Sequence, residues 1–182
     1  MSLAWLPNTL TVARCGLAFV VAWLIVAGPR ESFVAFFAFI FVALTDYVDG
    51  WAARRFEAES AFGAFLDPIA DKLLVGLSLV ALSLLEGWDL MLLIPTLAII
   101  ARDVIATGLR LVPNVEMPVS QLAKWKTALE MIGIGALLAA APLATVWIWS
   151  LGLVLVWAAA ALSVYTLGLY VGALIANEKR PR

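Results

Sequence analysis

The sequence predicts an all-α, polytopic integral membrane protein: a bundle of six transmembrane helices with a short N-terminal interfacial segment. Three observations lead there. Of the 182 residues, 64% are hydrophobic, where a soluble domain uses roughly half, and mean hydropathy is +1.02. The apolar residues fall in long runs, each near the ~20 residues that cross a bilayer. Between the runs lie short connections of Gly, Pro and charged residues, which fold consecutive helices back as antiparallel neighbours.

Taken in order, the opening Met1-Ser-Leu-Ala-Trp-Leu-Pro-Asn lacks the basic stretch of a secretory signal. It reads as an amphipathic segment at the interface, ended by Pro7. The spans follow at 9–28, 31–54, 60–85, 89–111, 119–141 and 144–176. Gly28-Pro29-Arg30 follows the first and Arg55 to Glu59 the second. Glu86-Gly87-Trp88 closes the third, Val112 to Pro118 follows the fourth, and Ala141-Pro142 follows the fifth. The sixth holds 33 residues, a rise of roughly 50 Å against a hydrocarbon core near 30 Å, so it tilts or projects. Its Gly168-Leu-Tyr-Val-Gly172 is a GxxxG pattern that suits close packing inside the bundle, with a dimer contact as the sharper alternative. Residues 1–182 are expected to form one transmembrane domain, with no cleaved prepeptide and no soluble second domain.

Lys and Arg set the expected orientation. With the N-terminus inside, Arg14, Arg54, Arg55, Arg110, Lys124, Lys126, Lys179, Arg180 and Arg182 fall on the cytoplasmic side, nine of twelve basic residues. Both termini are then inside, in a bacterial cytoplasmic (inner) membrane. Trp51 and Trp125 fall near the inner interface and Trp88, Trp147 and Trp149 near the outer one, where indole rings anchor. A net charge of −1 argues against a nucleic-acid partner. The lone Cys15 allows no intrachain disulfide, and the absence of His leaves acid–base chemistry to carboxylates, Lys or Tyr.

Four carboxylates interrupt this apolar chain: Asp46, Asp49, Asp67 and Asp71 lie within 26 residues at spacings of three and four. Such spacings share a helix face. Asp46, Asp49, Gly50 and Ala53 line one stripe of the second span, and Gly63, Asp67 and Asp71 one stripe of the third. A solvated surface face is a poor account of them. The apolar run Phe33 to Leu44 precedes Asp46, and Leu73 to Leu85 follows Asp71. Like charges in an apolar setting are costly unless a cation sits among them. An oxygen-only donor set suits Mg²⁺ or Mn²⁺, and four carboxylates meeting at one depth hold two such ions, an arrangement suited to phosphoryl displacement.

The pattern D-x2-D-G-x2-A-R-x8-G-x3-D-x3-D, complete here from Asp46 to Asp71, resembles the signature of the CDP-alcohol phosphotransferase family of membrane enzymes. That resemblance implies a CDP-linked lipid donor bound by Asp46, Asp49, Gly50, Ala53, Arg54, Gly63 and Asp67. Asp46, Asp49, Asp67 and Asp71 would be metal ligands, with Asp71 also the base that deprotonates an acceptor hydroxyl. Gly50, Ala53 and Gly63 would leave room for cytidine and phosphates, and Arg54 would pair with a phosphate. The hydroxyl attacks the β-phosphate and CMP leaves.

Further stretches resemble the branch that makes phosphatidylglycerophosphate: Pro7-Asn8…Arg14, Ile100-Ala-Arg102-Asp103, Thr107-Gly-Leu-Arg110 and Leu122-Ala-Lys124-Trp-Lys126-Thr127. Ala123 stands where that branch usually shows Gly. The resemblance implies CDP-diacylglycerol and glycerol 3-phosphate as substrates. A dianionic acceptor needs cations, and Arg110, Lys124 and Lys126 converge at the inner ends of the fourth and fifth spans, with Arg102 a further candidate. The plainer reading makes them positive-inside residues at lipid headgroups. Arg102 equally suits a pair with Asp103, Lys72 and Glu130 suit structural partners, and Arg14 suits either donor or headgroup. Membrane lipids and a second copy of the chain, as a homodimer, are the other expected partners. The alternatives are a cardiolipin synthase of the same family and, from another class, a divalent-cation transporter. Against transport, the carboxylates stop halfway across and no inverted repeat is visible.

Overall fold

The computed structural model describes residues 5–55, 61–110 and 121–178, with side chains for 12–45, 69, 72–109, 122 and 125–172. Six helices follow in order: α1 (Trp5–Ala27), α2 (Val34–Arg55), α3 (Ala61–Leu85), α4 (Leu90–Arg110), α5 (Gln121–Ala140) and α6 (Val146–Glu178). No strand occurs among the described residues. Among the described residues, two segments, Leu90–Leu109 of α4 and Val146–Gly172 of α6, are long and apolar enough to cross a membrane. Shorter apolar stretches, Val12–Ala27, Val34–Thr45 and Lys72–Leu85, run through α1, α2 and α3.

One expected break does not occur. The segment thought to end at Pro7 is continuous with the first helix, because α1 already starts at Trp5. Pro7 sits in its first turn, where backbone N–H groups have no intrahelical acceptor and a missing donor costs nothing.

Neighbour packing closes the helices into a ring in the order α1, α2, α5, α6, α4, α3, with α3 also reaching α5 and α2. Phe39, Leu79, Leu92, Ile99, Ile134, Leu137 and Val156 are its most completely buried large side chains. Two tight reversals set antiparallel pairs. After α3, Gly87 and Trp88 take positive φ (65° and 63°), and Trp88 N–H donates to Ser83 O at 2.7 Å. After α5, Ala144 takes φ 48° and Thr145 N–H reaches Ala140 O at 3.1 Å. These bonds satisfy the last carbonyls of each helix. At this end of the ring, Arg30 of the α1–α2 connection pairs with Glu86 of the α3–α4 connection. Trp88 and Trp147 are exposed here, whereas Trp149 packs partly against the core.

α5 and α6 touch most closely at two glycines. A Cβ on Gly152 would lie 2.8 Å from Leu137 Cγ and 3.0 Å from Leu137 N, and one on Gly133 would lie 2.9 Å from Val156 Cγ2. The GxxxG pair expected to pack within the bundle does not. Gly168 and Gly172 are exposed, and a Cβ on either would meet nothing within 4 Å. The α5–α6 register places the tight crossing nearer the start of α6 and turns the GxxxG face outward.

Within α4, the buried Pro95 cannot supply an N–H to the carbonyl four residues back. That carbonyl, Met91 O, accepts instead from Trp157 Nε1 of α6 at 2.8 Å. Beside it, Thr96 Oγ1 donates to Leu92 O at 2.7 Å and lies 3.3 Å from Ser83 Oγ of α3.

Candidate active site

The acidic stripes occupy two neighbouring helices. α2 stays helical through Arg55 and α3 from Ala61. Asp46, Asp49, Gly50 and Ala53 therefore hold positions i, i+3, i+4 and i+7, and Gly63, Asp67 and Asp71 a matching row. Asp46 is nine residues from the end of α2 and Asp71 ten from the start of α3, a rise of roughly 14–15 Å in each case. Both rows thus sit at one depth, in the half of the ring away from Arg30–Glu86. The side chains of Asp46, Asp49, Arg54, Asp67, Asp71, Arg110 and Lys124 lie outside the described residues.

α4 and α5 flank this acidic pair, since α4 packs on α3 and α5 on α2. In the same half they carry a buried ionic network. Asp103 Oδ1 accepts from Lys126 Nζ at 2.6 Å and from Arg102 Nη1 at 2.9 Å. Lys126 Nζ is also 3.2 Å from Glu130 Oε1, one turn along α5. Arg102 Nη2 donates to Thr166 Oγ1 of α6 at 3.3 Å, and its guanidinium lies 5.7 Å from the Tyr170 ring centroid, within cation–π range. The side chains of Arg102, Lys126 and Glu130 are 7%, 4% and 3% exposed. Two cations and two carboxylates so enclosed compensate one another, and removing any one would strand a buried charge.

Lys72 joins the acidic and ionic halves. It follows Asp71 directly in sequence, and its ammonium donates to Thr107 Oγ1 and, at 3.2 Å, to Asp103 O. From α1, Arg14 is buried as well.

Of the candidate acceptor residues, the structure therefore brings Arg102 and Lys126 together through one carboxylate. Arg102 does pair with Asp103, and Lys72 and Glu130 do have protein partners. Sequence reasoning missed Asp103 as the shared hub and missed Thr166 and Tyr170. The Lys126–Glu130 spacing of four carried a local signal, but the meeting of α4, α5 and α6 did not.

The family model for CDP-alcohol phosphatidyltransferase matches residues 4–165. The chain belongs to the CDP-alcohol phosphatidyltransferase family. It is an enzyme of that class, with the acidic rows of α2 and α3 inside the matched region. Two similar proteins are named CDP-diacylglycerol–glycerol-3-phosphate 3-phosphatidyltransferase. One, from Cereibacter sphaeroides, is 40% identical over 139 residues, 72% of this chain and 62% of that protein. The other, from Rickettsia bellii, is 34% identical over 166 residues, 88% of this chain and 90% of that protein. A relative of another name, cardiolipin synthase (CMP-forming) from Oryza sativa subsp. japonica, is 32% identical over 185 residues, 91% of this chain and 56% of that protein. The chain thus spans less than two thirds of the Cereibacter and rice relatives.

Proposed function

We propose that this protein transfers the phosphatidyl group of CDP-diacylglycerol to glycerol 3-phosphate, giving phosphatidylglycerophosphate and CMP. The observation that carries the reading is the placement of two acidic rows beside a cationic pair of helices in one half of the ring. One side suits a metal-bound pyrophosphate and the other a phosphorylated acceptor. The names of the Cereibacter and Rickettsia relatives support the same acceptor.

Asp46, Asp49, Asp67 and Asp71 fit one or two Mg²⁺ or Mn²⁺ ions, being oxygen donors only, repeated every turn on adjacent helices. Bound there, such cations would neutralise charge on the donor's pyrophosphate. Gly50, Ala53 and Gly63 leave space along the helices for the cytidine diphosphate, and Arg54 adds a bidentate grip on phosphate. Asp71 takes the proton of the acceptor hydroxyl. The oxygen attacks the β-phosphorus, the bond to CMP breaks, and the phosphatidyl group stays on the acceptor.

The acceptor phosphate rests on Arg110, Lys124, Lys126 and Arg102. Because Lys126 and Arg102 are already bonded to Asp103, the direct grip falls chiefly to Arg110 and Lys124 at the helix ends. Lys126 and Arg102 brace that end of the ring. The whole chain acts as one six-span membrane domain, termini and active site on the cytoplasmic face of a bacterial inner membrane. The outward Gly168–Gly172 face supplies a homodimer contact.

A second reading, cardiolipin synthesis with phosphatidylglycerol as acceptor, is favoured by the rice relative's name. An acceptor screen with purified protein and CDP-diacylglycerol separates them by the alcohol that drives CMP release. Glycerol 3-phosphate is expected to do so and phosphatidylglycerol not; the reverse result replaces the first reading by the second.

A further inference from the structure

We propose that the groove between α3 and α4 binds a membrane phospholipid that is neither donor nor acceptor. The groove has a volume of about 410 Å³ and runs from Ile69 and Lys72 to Val80 on α3, facing Ile99 to Gly108 on α4. Missing side chains open it. A Cβ on Gly76 would come no closer than 3.8 Å to Ile100, and one on Gly108 would meet nothing within 4 Å. Val80 and Val104 on its rims are exposed, and the α4 wall lies within the membrane-crossing segment Leu90–Leu109. Around that segment, the surrounding medium is acyl chain rather than water.

Length and polarity select the occupant. From Ile69 to Val80 the helix rises roughly 16 Å, close to one leaflet of a ~30 Å core. One end is wholly apolar. At the other stand the Lys72 ammonium and the Thr107 hydroxyl, held in place by their mutual bond and by Asp103 O. The carboxylate of Asp103, itself a lining residue, is bonded to Lys126 and Arg102. A slot one leaflet long with a fixed cation at its polar end matches an acyl chain attached to a phosphate, and basic pockets between membrane helices bind such headgroups. The groove positions Lys72, Gly76 and Val80 lie 100° or more around α3 from the row of Asp67 and Asp71. The slot therefore opens away from the donor's pyrophosphate, which is why the occupant is an additional lipid.

The test uses full-length protein in nanodiscs of phosphatidylcholine doped with phosphatidylcholine that carries a photoactivatable group on one acyl chain. Labelled positions are mapped by peptide mass spectrometry. Labelling is expected to concentrate on residues 69–80 and 99–108 above the level at Val154 and Val164, exposed positions on α6. Gly76→Leu and Val104→Trp fill the slot from opposite helices, and each should reduce groove labelling to the α6 level while CMP release persists, which certifies the fold. Lys72→Met keeps the walls and should lower occupancy about tenfold, as for a lost charge-assisted contact. Equal labelling of groove and α6, or labelling that survives both filling variants, overturns the proposal. So does clearance by saturating CDP-diacylglycerol, which would assign the slot to the donor. Chain-to-chain cross-links across the groove would assign it to a second copy. None of these outcomes depends on which alcohol is the acceptor.

Discussion

Trp157 Nε1 donates to Met91 O at 2.8 Å, and Met91 stands four residues before Pro95, the only proline within α4. The indole of α6 thus replaces a bond that α4 cannot make for itself. Trp157→Phe should lower stability by about 0.5–1.5 kcal/mol, the net worth of one ordinary hydrogen bond. Pro95→Ala restores the helical N–H. In its presence the Trp157→Phe loss should shrink markedly, as read by chemical unfolding in detergent across the double-mutant cycle. Full additivity would mean that Trp157 acts by packing alone.

The glycines of α6 are not equivalent. Gly152→Ala forces a methyl to 2.8 Å from Leu137 Cγ and 3.0 Å from its backbone nitrogen, so α5 and α6 must separate. A loss of about 1–3 kcal/mol is expected, as for overpacking generally. Gly168→Ala meets open space and should leave monomer stability within about 0.5 kcal/mol. Its effect, if the outward face joins two copies, appears in the concentration dependence of the dimer.

For the chemical step, Asp71→Asn keeps side-chain size and one oxygen but removes the proposed base. CMP release should fall at least about 100-fold with donor binding largely retained, measured by turnover and by isothermal titration with CDP-diacylglycerol. Excess EDTA should abolish release by wild-type protein, since the proposed Mg²⁺ or Mn²⁺ is what would hold the donor's pyrophosphate.

At the acceptor end, Lys124→Ala should raise the KM for glycerol 3-phosphate roughly 10- to 150-fold through loss of about 1.5–3 kcal/mol, with the donor KM little changed. Lys126→Ala behaves differently. It removes the cation that bridges Asp103 and Glu130, so a stability loss of about 3–5 kcal/mol should accompany any kinetic change. Steady-state kinetics and thermal unfolding of both variants distinguish a grip from a brace. Equal rises in both KM values for Lys124→Ala would assign that residue to the membrane surface.

Much of this architecture was legible in local sequence. Hydropathic runs and breakers located all six helices to within a few residues, and the uninterrupted spacing from Asp46 to Asp71 placed the acidic rows on α2 and α3. The reading failed where a pattern had two physical outcomes. Pro7 looked like a terminator but lies in a first turn that tolerates it. Gly168 and Gly172 looked like a packing motif, yet the crossing fell on Gly133 and Gly152, which form no motif between them. The Asp103 hub and the Trp157–Met91 bond join residues 23 and 66 positions apart, and no periodicity along one helix encodes which faces of two helices will meet.

The ionic network has one more consequence, for the order in which the chain reaches its membrane. Each helix brings its own counter-charge: Arg102 beside Asp103 on α4, and Lys126 one turn before Glu130 on α5. The buried charges of either segment can therefore enter lipid already paired within their own helix, with Arg110 and Lys124 left near the helix ends, at far less penalty than a lone ammonium or carboxylate carries. Lateral assembly then exchanges these private pairs for the shared one, when Asp103 takes Lys126 as well as Arg102. Insertion and bundle closure are thereby separable events, and the charges that finish the fold do not obstruct its first stage.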